Sequence, residues 1–232
     1  MTNSKKWKNI FDKIAEKEND SEFSLEGALR VSGHYDYDIA SFKADIQRLR
    51  ERAGINSGAA VLEIGCGGGA VLSQFSDCEL YGIDYSSQAL LYANYFLSSA
   101  TLKTAEAADF SFDKKFDLVV AYSVSQYFPS DEYMMRFLIN ARNHLKKNGK
   151  LVIAEINDGD MKAAYEEHRR LKYGQDYERL FGSKNKDLEH YSVTKGQLAD
   201  ICIPAGFSCD FEHCGRRGDE KEFYRFTAYL TM

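Results

Sequence analysis

The sequence predicts an α/β fold: a doubly wound, mostly parallel sheet that closes on a C-terminal antiparallel hairpin. Three observations predict it. From Ala59 onward, short apolar runs alternate with longer amphipathic stretches, the signature of repeated strand–helix–strand units. One of the strand-to-helix junctions, "VLEIGCGGGA" at 61–70, is rich in glycine and implies a backbone that a ligand approaches closely. The last forty residues read as a helix, a strand, a charged turn and a final strand.

The elements follow in order. The first fifty-odd residues are polar, charged and helical in period. In "IASFKADIQRLRERAGI", Ile39, Phe42, Ile46 and Leu49 share one helical face, and Gly54 supplies the stop. The preceding "RVSGHYDYD" reads as a loop. After it come a strand "AAVLEIG", a helix "AVLSQF", a strand "ELYGID" and a helix "SSQALLYANYFL". "LKTAEAAD" and "FDLVVAYS" are the next strands, followed by a helix "DEYMMRFLINARNHLKKNG" and a strand "KLVIAEI". Ligands of such sheets bind at the carboxyl ends of the strands. Residues 157–189 break the pattern with charge and tyrosine and read as a helical insertion with a loop. The chain ends with a helix "TKGQLADICIPAG", a strand "FSCDFEHCG", a hairpin turn "RRGDEKE" and a strand "FYRFTAYLTM".

Composition narrows the function. At 232 residues and 44% hydrophobic, the chain can bury one full core. A formal charge of -5 offers no basic field for a phosphate backbone, so nucleic acid is not the expected partner and a small molecule is. No apolar run is long enough to span a bilayer and no export signal opens the chain, so no membrane partner and a cytoplasmic location are expected. Self-association as a homodimer is compatible with the sequence. Cys66, Cys78, Cys202, Cys209 and Cys214 are odd in number and form no CxxC pair, so they read as reduced thiols. In "CDFEHC", strand alternation separates Cys214 from Cys209 and His213, so no metal site is expected.

The glycine loop alone fits a dinucleotide, another nucleoside ligand or a structural turn. The acidic residues discriminate. Glu63 lies inside the strand, two residues before Gly65, where leaving it unpaired would be costly. Asp84 ends the next strand, placed to accept the hydroxyls of a ribose. Asp109 follows the third strand and suits an adenine amino group.

The combination "VLEIGCGGG", "YGIDYS", "AADFSF" and "FDLVVAYSVSQYF", in this order and spacing, resembles the class I S-adenosylmethionine-dependent methyltransferases over about residues 55–156. The resemblance implies a seven-stranded Rossmann-like sheet whose sixth and seventh strands are the C-terminal pair. It implies S-adenosyl-L-methionine as cofactor, with Glu63, Gly65, Cys66, Gly67 and Gly69 at the methionine portion and Asp84 on the ribose. Tyr85 and Ser86 would flank the adenine edge, with Ala108, Asp109 and Phe110 beside the base. Tyr122 and Ser123 would line the floor below the methyl group, and Tyr127, just after the fourth strand, would hydrogen-bond the methionine carboxylate or the acceptor. Four regions result: an N-terminal helical cap (1–54), the cofactor-binding core (55–156), a helical lid and substrate insertion (157–191), and a C-terminal helix and hairpin completing the sheet (192–232). Weaker similarities in "SVSQYFPS", "AEIND", "HYS" and "YRF" resemble a sugar-associated branch of these enzymes.

A sulfonium activates its own methyl group, so the protein chiefly aligns the reactants. A hydroxyl acceptor also benefits from a base. Glu155, at the end of "KLVIAEI", and His190, after the insertion, are the candidate catalytic residues; segment capping and an exposed loop histidine are their alternatives. Tyr35, Gln126, Arg169 and Tyr191 are the candidate substrate contacts, Arg169 through the cationic run "HRRLK" at 168–172. The expected activity is methyl transfer to O or N of a polar small molecule, with a sugar or nucleotide-sugar favoured. A non-catalytic binder of the same cofactor and an NAD-dependent oxidoreductase are the alternatives; Glu63 and the closing hairpin argue against the latter.

Overall fold

A computed structural model describes residues 3–19, 22–35, 37–177, 190–214 and 223–232. Residues 178–189 of the expected insertion and the expected hairpin turn "RRGDEKE" (216–222) lie outside the described residues.

Seven strands form one sheet: β1 (Ala60–Ile64), β2 (Glu79–Asp84), β3 (Thr101–Thr104), β4 (Phe116–Tyr122), β5 (Leu145–Asn157), β6 (Ser208–His213) and β7 (Arg225–Thr231). Their order is β3-β2-β1-β4-β5-β7-β6. The first five run parallel, while β7 is antiparallel to both of its neighbours. The central strands are buried on both faces, as parallel strands covered by helices must be. Period-2 alternation sorts their side chains. Leu62, Ile64, Val119, Ala121, Leu151 and Ile153 enter one core. Val61, Leu118, Val120 and Val152 enter the other.

The first core packs against α5 (Asp131–His144) and α7 (Lys195–Cys202). The second is covered by α2 (Leu25–Val31), α3 (Ile39–Ala53) and α4 (Ser87–Phe96), with α1 (Asn3–Glu18) lying on α2 and α4. Phe42, Ile46 and Leu49 of α3 are buried, as the spacing predicts. The helix stops at Gly54, whose φ of 68° is open to a residue without Cβ. The insertion contributes α6 (Lys162–Tyr173).

Three elements are shorter than the sequence suggests: the strand expected over "LKTAEAAD" is confined to Thr101–Thr104, and two others follow. "AVLSQF" forms one 3-10 turn, Leu72–Phe75. The helix of "DEYMMRFLINARNHLKKNG" ends at His144, because Leu145 pairs with Phe116 and joins β5. Tertiary pairing there overrides helix propensity.

Candidate active site

A cleft opens at the carboxyl ends of β1, β2 and β4. The glycine loop forms its base. Gly65 and Gly67 have φ of 70° and 49°. A Cβ at Gly65 would stand 2.5 Å from Val124 Cγ2, and one at Gly67 would stand 2.3 Å from Ser32 Oγ. The glycines therefore let both the following strand end and α2 close on the loop. Gly69 N–H donates to Cys66 O at 2.8 Å, tightening the turn. Cys66 itself is buried against Gly82 and does not line the cleft; Gly69 likewise lies outside its lining, facing Leu97.

Two carboxylates lie beneath this loop. Glu63 is 2% exposed, and its Oε2 has no hydrogen-bond partner among the described residues. Burial pushes its carboxyl well above the usual range, the Leu72 N–H opposes, and the charge of Asp84 adds to the rise. Asp84 accepts from Gly67 N at 2.9 Å and Ser86 N at 2.8 Å. Burial raises its pKa to about 6 against the pull of those two N–H groups. A carboxylate has about four lone-pair sites, so acceptor capacity remains for hydroxyls in the cleft that Asp84 lines.

Along the adjoining wall, Tyr85 lines the cleft with its hydroxyl buried and unpartnered among the described residues. Ser86 is fully buried and works as a cap: its Oγ accepts from Ala89 N and donates to Asp12 Oδ1 at 2.6 Å. That bond ties α1 to the site. Ala105, Glu106 and Ala107 form the far wall, where Glu106 accepts from Tyr133 OH at 2.9 Å. Three expected residues stand elsewhere. Asp109 is exposed, Ala108 is buried behind the wall, and Phe110 packs in the core 4.7 Å from the His144 ring. The chain turns at a Glu106–Asp109 bridge, which leaves Glu106 as the acidic residue nearest the carboxyl end of β3.

Tyr122, Ser123 and Tyr127 line the opposite side. Ser123 has φ 56°, and its Oγ accepts from Gln126 Nε2 at 2.9 Å. Gln126 is buried with Oε1 unpartnered among the described residues, and its carbonyl accepts from Tyr191 N at 2.8 Å. Tyr191 OH donates to Asp131 Oδ1 at 2.6 Å. Tyr35 is 59% exposed and outside the cleft lining; its neighbour His34 lines the cleft instead.

Beyond Tyr127 a second cluster begins. The His190 ring stacks on Trp7 at 5.0 Å and meets Tyr127 edge-on at 5.5 Å. Its Nε2 is buried with no partner among the described residues. Burial lowers its pKa to about 4, with Arg225 and Arg169 adding to the fall, so the imidazole is neutral at pH 7. Arg169 of α6 lies 4.6 Å over the Tyr165 ring. Glu155, at φ 62°, accepts from Arg225 Nη1 at 2.8 Å.

Sequence reasoning missed Glu106, the α1 residues Trp7, Phe11 and Asp12, and Arg225. For Glu106 the signal was present, since it lies two residues past the last residue of β3 and Asp109 lies five. Trp7 and Phe11 are four apart and so share a helix face. Arg225 carried no local signal.

These residues fit S-adenosylmethionine. A buried carboxylate oxygen without a donor, a loop cleared of side chains and a strand-end aspartate suit its ammonium, its methionine backbone and its ribose. Residues 62–151 match the family described as "Methyltransferase domain". Match and site together support an S-adenosylmethionine-dependent methyltransferase. No curated protein sequence is similar to it. Among solved structures it is similar in fold to the N-methyltransferase NodS from Bradyrhizobium japonicum WM9 in complex with S-adenosyl-L-homocysteine. That pair shares 17% identity over 95% of this chain and 97% of the other, with a TM-score of 0.64. The magnesium protoporphyrin IX methyltransferase ChlM from Synechocystis PCC 6803 is 13% identical over 100% and 97%, TM-score 0.63. CalS10, an amino pentose methyltransferase from Micromonospora echinaspora, is 14% identical over 91% and 98%, TM-score 0.61.

Proposed function

We propose that the chain methylates an oxygen or nitrogen of a polar small molecule, a sugar or nucleotide-sugar in first place, with His190 as the base. The observation that carries the reading is the place of His190: its Nε2 is buried and unpartnered among the described residues, and its ring meets Tyr127, which lines the cofactor cleft. The cofactor supplies a methyl group already activated on sulfur. Glu63, Asp84, Tyr85 and Glu106 hold its polar ends, and the glycine loop admits its backbone-facing side. Tyr122, Ser123 and Tyr127 border the space where donor and acceptor meet. Trp7 and Phe11 of α1 close over Tyr127 and exclude water.

An acceptor hydroxyl or amine there would pass its proton to His190 Nε2 as the O–C or N–C bond forms. Glu155 is committed to Arg225 and serves to hold that guanidinium. The amino pentose named for CalS10 and the N-methylation named for NodS favour a sugar-like acceptor and keep nitrogen among the target atoms.

The test is methyl transfer from labelled S-adenosylmethionine across a panel of sugars, amino sugars and nucleotide-sugars. Transfer to one of them, strongly reduced in His190→Ala, is the expected result. Cofactor binding without transfer to any acceptor favours a binding protein, and NAD binding in its place overturns the reading.

A further inference from the structure

We infer that Arg225 recognises an anionic group on the acceptor, a carboxylate or a phosphate; this rests on the methyltransferase reading above. Arg225 opens β7 and pairs with Asn157 at the carboxyl end of β5, and its charge acts on both Tyr127, which lines the cofactor cleft, and His190. Its side chain is 14% exposed, yet a single hydrogen bond, Nη1 to Glu155 Oε2 at 2.8 Å, holds the guanidinium among the described residues. Arginine carries five N–H donors in a fixed fork, so most of its donors have no hydrogen-bond partner among the described residues.

The surroundings are cationic and donor-rich. Arg225 and Arg169 both act on the His190 ring, and Glu155 is the one carboxylate acting on Arg225 among the described residues. The Trp7 indole N–H, in the ring stacked on His190, is buried without a hydrogen-bond partner among the described residues. Two guanidiniums and a free indole N–H around a neutral imidazole form a site that an anion completes and a neutral sugar does not. The backbone of Glu155 points the same way. Its left-handed φ of 62° is unfavourable for a glutamate, and such strain concentrates where side-chain placement matters. Glu155 then orients the fork by one edge and leaves the others open, while the anion's position sets which acceptor atom meets His190.

Trp7 is the chain's only tryptophan, so its fluorescence reports on this site alone. The full chain saturated with S-adenosylhomocysteine is titrated with inorganic phosphate and, separately, with acetate, ionic strength being held constant with chloride. A saturable change is expected with one of them, and the anion that saturates separates a phosphate from a carboxylate. Because Arg225→Gln alone would strand Glu155 as a buried charge, the Glu155→Gln/Arg225→Gln double variant is used. It should bind S-adenosylhomocysteine as the parent does and weaken the anion response at least about tenfold. Glu155→Gln alone should retain or tighten it. The inference is overturned if neither anion saturates, if the double variant responds like the parent, or if Glu155→Gln loses the response equally. Failure of the parent to bind S-adenosylhomocysteine would instead remove the methyltransferase reading.

Discussion

The two halves of the site are built differently. The cofactor half comes from consecutive strand ends and the loop after β1, and backbone N–H groups supply most of its internal bonds, as at Asp84. The half proposed to receive the acceptor gathers Trp7, Arg169, His190 and Arg225, residues from four remote places in the chain, through rings and guanidiniums. A backbone-built cradle is rigid and accepts the same nucleoside whatever the reaction. A side-chain-built chamber can be altered residue by residue without disturbing the sheet, which suits the part that selects the acceptor.

Substitutions should keep the two halves separable. The largest effect is expected for His190→Ala, which should lower kcat by about 10²–10⁴-fold while leaving S-adenosylhomocysteine affinity unchanged by calorimetry. Equal losses in kcat and cofactor affinity would merge the two halves into one unit.

Asp84 gives the next effect, confined to the cofactor half. Its folded pKa of about 6 is raised above the unfolded value, so its contribution to stability is present at low pH and lost as pH rises through 6. An offset of that size corresponds to about 3 kcal/mol. Denaturant unfolding at pH 4 and pH 7 should show a larger loss in the parent than in Asp84→Asn, the difference being the contribution of Asp84. Glu63, raised in the same direction, adds to it. Asp84→Ala should weaken cofactor binding by about 1–3 kcal/mol, and an unchanged affinity would remove its ribose role.

The smallest effect probes the seam between the halves. Asp12→Ala breaks the bond from Ser86 Oγ that fastens α1 over the cleft. A loss of about 0.5–1.5 kcal/mol in stability is expected, together with a raised KM for the acceptor. A change in cofactor affinity alone would place α1 with the cofactor half.

Much of the cofactor half was legible because its determinants are local. "VLEIGCGGGA" and "YGID" each carry a strand, its end and the functional residue within ten positions, so reading the period also locates Glu63, Gly65, Gly67 and Asp84. The departure at Asp109 came from a strand four residues long: β3 stops at Thr104, and Glu106 takes the wall. His190 and Arg169 were nominated on residue type, but nothing in "EHYS" or "HRRLK" indicates that they share a neighbourhood with Trp7.

By itself the amino-acid sequence determined the alternation that builds the sheet, the glycine loop and the acidic strand ends, since hydrophobic period and positive-φ turns act over a few residues. Tertiary structure alone decided that α1 lies on the site, that Glu106 faces the cleft, that His190 is neutral and that Arg225 rests on Glu155. Each of these depends on burial or charge contributed by segments scores of residues away, and such contributions exist only once the chain has folded.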